Sequence, residues 1–218
     1  MARRLEHNLV RRRYFREQKQ RFIIFCEGEK TEPTYFHALR VFCSNALIAI
    51  ETIPRVGVPF TIAQSAVCCA QSLGLIDRKR KNLDSFEERD EVWAVFDRDI
   101  HPNFNQAVRL CEENRVGVGR SNPCFEIWLI LHIEDYNKPD DRHAIQAHLK
   151  KLRPEYDWKG AKTPDCSDLI KRVEIAERRA ETLLRRRSEE RNPYGRPSTT
   201  VGRLTRAIRD AAKGERRR

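Results

Sequence analysis

No apolar run in the 218-residue chain is long enough to cross a bilayer; the longest, around Ile127–Ile133, contains His132 and falls well short of the ~20 residues a spanning helix needs. The opening residues, Met1-Ala2-Arg3-Arg4-Leu5-Glu6-His7, lack the apolar stretch of an export signal, which predicts a cytoplasmic protein. Cys-x-x-Cys is absent, and the seven cysteines are an odd number, so neither a zinc ribbon nor a closed disulfide scaffold is indicated. Most of them stand among apolar neighbours, as small core residues do in a reducing compartment. There is no internal repeat, no aromatic RNA-reading motif and no recognition-helix signature, so nothing distinguishes RNA from DNA as a partner. Hydrophobic residues make up 39%, enough for a core, while a charged fraction of 34% leaves a heavily solvated surface.

Bases outnumber acids at both ends. Residues 1–21 hold eight Arg/Lys against two Glu, a net +6, and residues 171–218 hold sixteen against seven, a net +9. The whole chain carries +11, so the body between them is mildly acidic. Basic ends commonly engage phosphate backbones, and the preference for Arg over Lys suits bidentate phosphate contacts. Arg11, Arg12 and Arg13 in the first arm and Arg185, Arg186 and Arg187 in the last are the densest clusters, and they also suit plain solvated helix faces.

The body reads as alternating strands and helices. Arg21-Phe22-Ile23-Ile24-Phe25-Cys26 is a continuous apolar run stopped by Glu27-Gly28-Glu29, the pattern of a buried parallel strand. Tyr35, Phe36, Leu39, Phe42 and Cys43 recur at helical spacing after a Thr31 cap. Residues 47–53 form a second strand stopped by Pro54. A helix opening at Thr61 is expected to run into 75–80. Val92-Trp93-Ala94-Val95-Phe96 is a third strand ending in Asp97-Arg98-Asp99, residues 103–114 a helix, and 116–119 a short fourth strand. Asn122-Pro123 carries the cap and first-residue signals of the next helix. From Asp140 onward only helices are expected, over 144–152, 167–191 and 199–212. The expected organisation is a basic arm (1–20), an α/β domain (21–138) and a basic helical region (139–218). The fold class is α/β: a parallel sheet of about four strands flanked by helices, with a helical C-terminal extension.

Two expected strands end in acids. Open parallel sheets bind ligands beyond the carboxyl ends of their strands. Asp97 and Asp99, two residues apart in extended chain, point to one side, with Arg98 turned away. If the first and third strands are neighbours, Glu27 faces the same point. Hard oxygen ligands around an open position suit Mg²⁺ or Mn²⁺ beside a phosphate. The same acids also suit solvated loops or helix caps. Gly28 allows a sharp turn or close backbone approach. Lys30 fits either a phosphate contact or an ordinary surface lysine. Phe125 and Trp128 read as core.

A glutamate after strand one with Asp-x-Asp after strand three resembles the Toprim domain of topoisomerases, primases and several nucleases. The wording of Phe25-Cys26-Glu27-Gly28-Glu29-Lys30-Thr31-Glu32-Pro33, of Val95-Phe96-Asp97-Arg98-Asp99 with His101, and of Ser121-Asn122-Pro123-Cys124-Phe125-Glu126-Ile127-Trp128-Leu129 is similar to RloB-like proteins. Pro197-Ser198-Thr199-Thr200-Val201 adds to the likeness, with Arg196 where Asn is expected. RloB-like proteins occur in bacterial restriction and phage-defence neighbourhoods, often beside an ATPase. The resemblance implies a Toprim/Rossmann-like fold and a metal-dependent nuclease effector with an ABC- or AAA-type ATPase partner. Homo-oligomers fit the same picture. Glu27, Asp97 and Asp99 would be catalytic and would hold Mg²⁺ or Mn²⁺. Glu126 would be either a fourth ligand or an acid favouring a helix start. Lys30 and His101 would contact phosphate or water. Two other readings use the same residues: a non-catalytic module that binds nucleic acid or an ATPase, and a nucleotide sensor.

Overall fold

The computed structural model describes residues 20–43, 48–54, 57–76, 90–98, 103–156 and 165–214. The apolar runs form parallel strands β1 (Gln20–Cys26), β2 (Ile48–Pro54), β3 (Glu91–Asp97) and β4 (Gly117–Asn122). Between them lie α1 (Thr31–Cys43), α2 (Pro59–Ser72) and α3 (Phe104–Glu113). Then follow α4 (Glu126–Ile133), α5 (Arg142–Leu152), α6 (Ser167–Ile170), α7 (Val173–Glu189), a short strand β5 (Ser198–Thr199) and α8 (Val201–Ala212). The sheet order is β2-β1-β3-β4-β5, parallel except for the antiparallel β5. No helix among the described residues is long and apolar enough to cross a membrane.

Strand alternation divides the core in two. Phe22, Ile24, Cys26, Trp93 and Val95 share the layer that contains α1 and the helices from α4 onward. Ile23, Phe25, Val92, Ala94 and Phe96 face α2 and α3. The first layer is the larger, and residues on both sides of position 138 build it: Phe36, Leu39 and Trp128 pack with Ile145, Leu149, Leu204 and Ile208. Each such large side chain, removed from water, contributes about 2 kcal/mol.

Four sequence expectations are corrected here. The sheet has five strands, because the chain returns after Pro197 and pairs Ser121 with Thr199 and Asn122 with Ser198. Asn122 is not a helix cap. It ends β4, its Nδ2 donates to the Tyr194 carbonyl, and the helix starts at Glu126. The helix from Pro59 stops at Ser72: Gly74 takes φ +72°, and the Leu75 N–H donates to the Ala70 carbonyl, which closes the end. The long helix expected over 167–191 is two, α6 and α7, separated at Lys171-Arg172.

Candidate active site

The two strands that end in acids are neighbours. β1 pairs with β3, Cys26 opposite Val95, so both chains leave the sheet at one edge. The Glu27 N–H donates to the Val95 carbonyl at 3.0 Å. Its carboxylate Oε2 accepts from the Asp97 N–H at 2.9 Å. Asp97 has the parity of Trp93 and Val95, so its side chain enters the layer of α1 and α4 rather than that of α2 and α3. It is buried, 8% exposed.

That layer supplies two more acids. Glu32 lies in the first turn of α1 and is buried. Its carboxylate folds back over Gly28, where a Cβ would lie 2.1 Å from Oε2; only glycine leaves that space. Glu126 is the first residue of α4 and also buried. Its Oε1 accepts from the Tyr156 hydroxyl at 2.5 Å and from Gln146 Nε2 at 3.1 Å. Cys26 and Cys124 are buried alongside these acids; burial pushes both thiols well up, with Glu32 adding for Cys26 and Glu126 for Cys124. They are neutral thiols at pH 7.

The acids repel one another. Burial first, then Glu32, Glu126 and Glu27, push the Asp97 carboxyl well above the usual carboxylate range. Arg142, at the start of α5, works against that shift, with its Nη2 2.7 Å from Asp97 Oδ2. Burial, and then Glu126 and Glu27, raise Glu32 to about 7, against the lowering pull of the Glu32 and Gly28 amides. The site thus carries more acid than its own arginine offsets.

Lys30 lies exposed in the turn before α1. Arg185 and Arg186 are exposed on α7. Arg187 is instead buried; its guanidinium donates to Asn137 Oδ1 at 2.8 Å, Glu190 Oε1 at 2.9 Å and the Arg196 carbonyl, so its fork is occupied inside the protein. Arg98 turns away from the acids and lies 5.4 Å from the Tyr194 ring centre. Asp99, His101, Arg11, Arg12 and Arg13 lie outside the described residues.

Sequence reasoning assigned no role to Glu32, Arg142, Gln146 or Tyr156. Glu32 carried a faint signal, five residues after Glu27, but an acid in a first helical turn is also what the helix dipole favours. The other three reach the site across 20 to 45 residues of sequence.

The donors fit a hard divalent cation in chemistry: they are carboxylate oxygens, and the crowding of acids calls for positive charge. Among the described residues no three or more His, Cys, Asp or Glu side chains are grouped so as to hold a metal ion.

A family model described as RloB-like protein matches residues 22–208, most of the chain. No curated protein and no solved structure matches it.

Proposed function

This chain belongs to the RloB-like protein family, and on that footing we propose that it is a divalent-metal-dependent phosphodiesterase that cleaves nucleic acid, RNA or DNA, as an effector of bacterial anti-phage defence. One observation carries the reading: Glu27 and Asp97 meet at the ends of neighbouring parallel strands, bonded through the Asp97 N–H, with Glu32 and Glu126 acting on Asp97 from behind. Acids gathered at a strand-end crevice are costly to the fold, and a protein that only bound polyanions would repel its ligand there. The Toprim-like spacing of the acids supports the same reading.

Glu27, Asp97, Asp99 and Glu126 would hold Mg²⁺ or Mn²⁺. When bound, the ion polarises a phosphoryl oxygen and makes a bound water acidic enough to attack. The chain's own residues do the rest. Tyr156 and Gln146 fix the Glu126 carboxylate. Gly28 gives Glu32 its place. Arg142 pairs with Asp97, and its planar fork would suit a phosphate at the same crevice. Lys30 and His101 contact phosphate or water. Arg11, Arg12, Arg13, Arg185 and Arg186 hold the nucleic-acid backbone, and an ATPase of the ABC or AAA type restrains or recruits the effector.

A second reading, a non-catalytic module that binds nucleic acid or the ATPase, is favoured by the Arg142–Asp97 ion pair, which already occupies one acid. The variant Asp97→Asn separates the two. In a reconstitution with the ATPase, Mg²⁺-dependent cleavage of RNA and DNA oligonucleotides falls about 100-fold or more, while oligonucleotide binding survives or tightens. Equal cleavage by both proteins rejects the phosphodiesterase.

A further inference from the structure

Tyr194 stands where two strands end and a helix begins. It lies half-buried in the link between α7 and β5. Its backbone carbonyl accepts from two side chains, the Arg98 guanidinium and Asn122 Nδ2. Arg98 follows Asp97 directly, and Asn122 is the last residue of β4. The Tyr194 ring centre lies 5.4 Å from the Arg98 guanidinium carbon and 4.5 Å from that of Arg120. Phe104, the first residue of α3, meets the same ring edge-on, with centres 5.9 Å apart. One residue thus ties the exits of β3 and β4 to the start of α3.

The link around it is itself held. Arg120 donates to the Pro193 carbonyl at 2.8 Å, and Arg187 donates to the Arg196 carbonyl. The Gly195 N–H donates to the Asn192 carbonyl at 2.7 Å, which closes a tight turn. A Cβ on Gly195 would lie 3.0 Å from that carbonyl oxygen and 2.9 Å from Arg187 Cδ, so the turn and the passing arginine both need glycine.

Arg98 depends on this anchor. Its guanidinium rests on the Tyr194 carbonyl and against the Tyr194 and Phe104 rings, all of them uncharged. A cation held over aromatic faces is bound more firmly the less water reaches it. The Arg98 N–H donates to the Ser121 carbonyl at 2.7 Å, and the Asp97 N–H donates to Glu27 Oε2 at 2.9 Å. Peptide groups are planar, so the two planes that flank the Asp97 Cα are both fixed. Glu27 holds one; β4 holds the other, with Tyr194 gripping the side chain that follows.

We infer that Tyr194, acting through Arg98, is a positioning residue for Asp97. Its consequence for catalysis rests on the phosphodiesterase reading; its hold on the β3 exit does not. Without the ring the guanidinium turns to water and the exit loosens, while the strands behind it stay paired. Misplacement of a reacting group by about 1 Å can cost an enzyme about 100-fold, and a loosened exit costs part of that.

Two variants of the full-length protein test this. Tyr194→Leu removes the ring and keeps the carbonyl; Tyr194→Phe keeps both. Amide hydrogen exchange is read by NMR. In Tyr194→Leu the Asp97 amide exchanges about tenfold faster while those of Ile23 and Ile24 in β1 are unchanged, and Tyr194→Phe restores the slow rate. In the reconstitution with the ATPase, kcat for oligonucleotide cleavage falls about tenfold at constant KM, and Tyr194→Phe restores it. Arg98→Leu, at a half-buried position, gives the same two losses on its own, and the double variant with Tyr194→Leu loses no more. Losses that add in the double variant, exchange that rises equally in β1, or a kcat that ignores Tyr194→Leu overturns the inference. Failure of the phosphodiesterase reading looks different: the wild-type protein then cleaves neither RNA nor DNA, while Asp97 exchange still responds to Tyr194 and Arg98.

Discussion

Acid should destabilise this fold by about 3 kcal/mol through His132 alone. The imidazole is fully buried on α4, its ring centre 4.8 Å from that of Trp128 and 5.5 Å from that of Tyr35. Nδ1 lies 2.8 Å from the Trp128 carbonyl, which can only accept, so Nδ1 carries the proton. Nε2 accepts from the Tyr35 hydroxyl at 3.1 Å. A second proton on Nε2 would remove that acceptor and place a charge among aromatic rings. Burial, with Arg179 adding, lowers the His132 pKa from 6.5 to about 4, against the pull of the Trp128 carbonyl. The unfolded imidazole therefore takes its proton near pH 6.5, and the folded one near pH 4. Between those values the unfolded state binds more protons, so the stabilisation is complete above pH 6.5 and is lost as the pH falls toward 4. At about 1.4 kcal/mol per pK unit, the full loss is about 3 kcal/mol.

Other acids titrate in the same window, so a difference between two proteins isolates the imidazole. Tyr35→Phe and the double variant Tyr35→Phe/His132→Asn lack the tyrosine hydroxyl alike. Asn keeps a donor for the Trp128 carbonyl and does not titrate. Urea unfolding of both across pH 7 to 4, with coincident fluorescence and circular-dichroism transitions, gives the two slopes. The His-containing protein loses about 3 kcal/mol more over the window. Parallel slopes, or a His132 proton-exchange midpoint near 6.5 by NMR, would refute the reasoning.

Gly28→Ala should move the Glu32 carboxylate off its amides and destabilise the protein by about 1–3 kcal/mol, read by urea unfolding. Charge reversal of Arg185 and Arg186 together should flatten the salt dependence of nucleic-acid binding by about two units of log–log slope, measured by fluorescence anisotropy. Reversal of Arg187 should instead lower the unfolding midpoint, because its guanidinium is bonded inside the fold.

Much of the parallel sheet was legible because its strands are buried on both faces. Burial makes β1 and β3 nearly continuous apolar runs, and the acids that stop them mark the sheet edge. β5 was not legible: two residues carry no period, and its pairing with β4 spans 78 positions. Asn122 misled because Asn-Pro is a strong local helix-start signal, overruled by ladder pairing and the bond to Tyr194. Glu27 and Asp97 announced themselves by position at strand ends. Arg142 could not, since what places it is the packing of α5 against α4, a tertiary fact with no local pattern.

The late return of the chain to β4 also bears on how this protein is made. Glu27, Glu32, Asp97, Glu126 and Arg142 are all synthesised before Ser198. The β4 edge they depend on is covered only when Ser198 and Thr199 arrive, and the large core layer is filled only with Val201, Leu204, Ala207 and Ile208. A ribosome-bound chain therefore carries the whole acid set while its core is still open. Pairing across so long a separation is slow to form. Docking of α8, rather than appearance of the acids, is what closes the core behind the site.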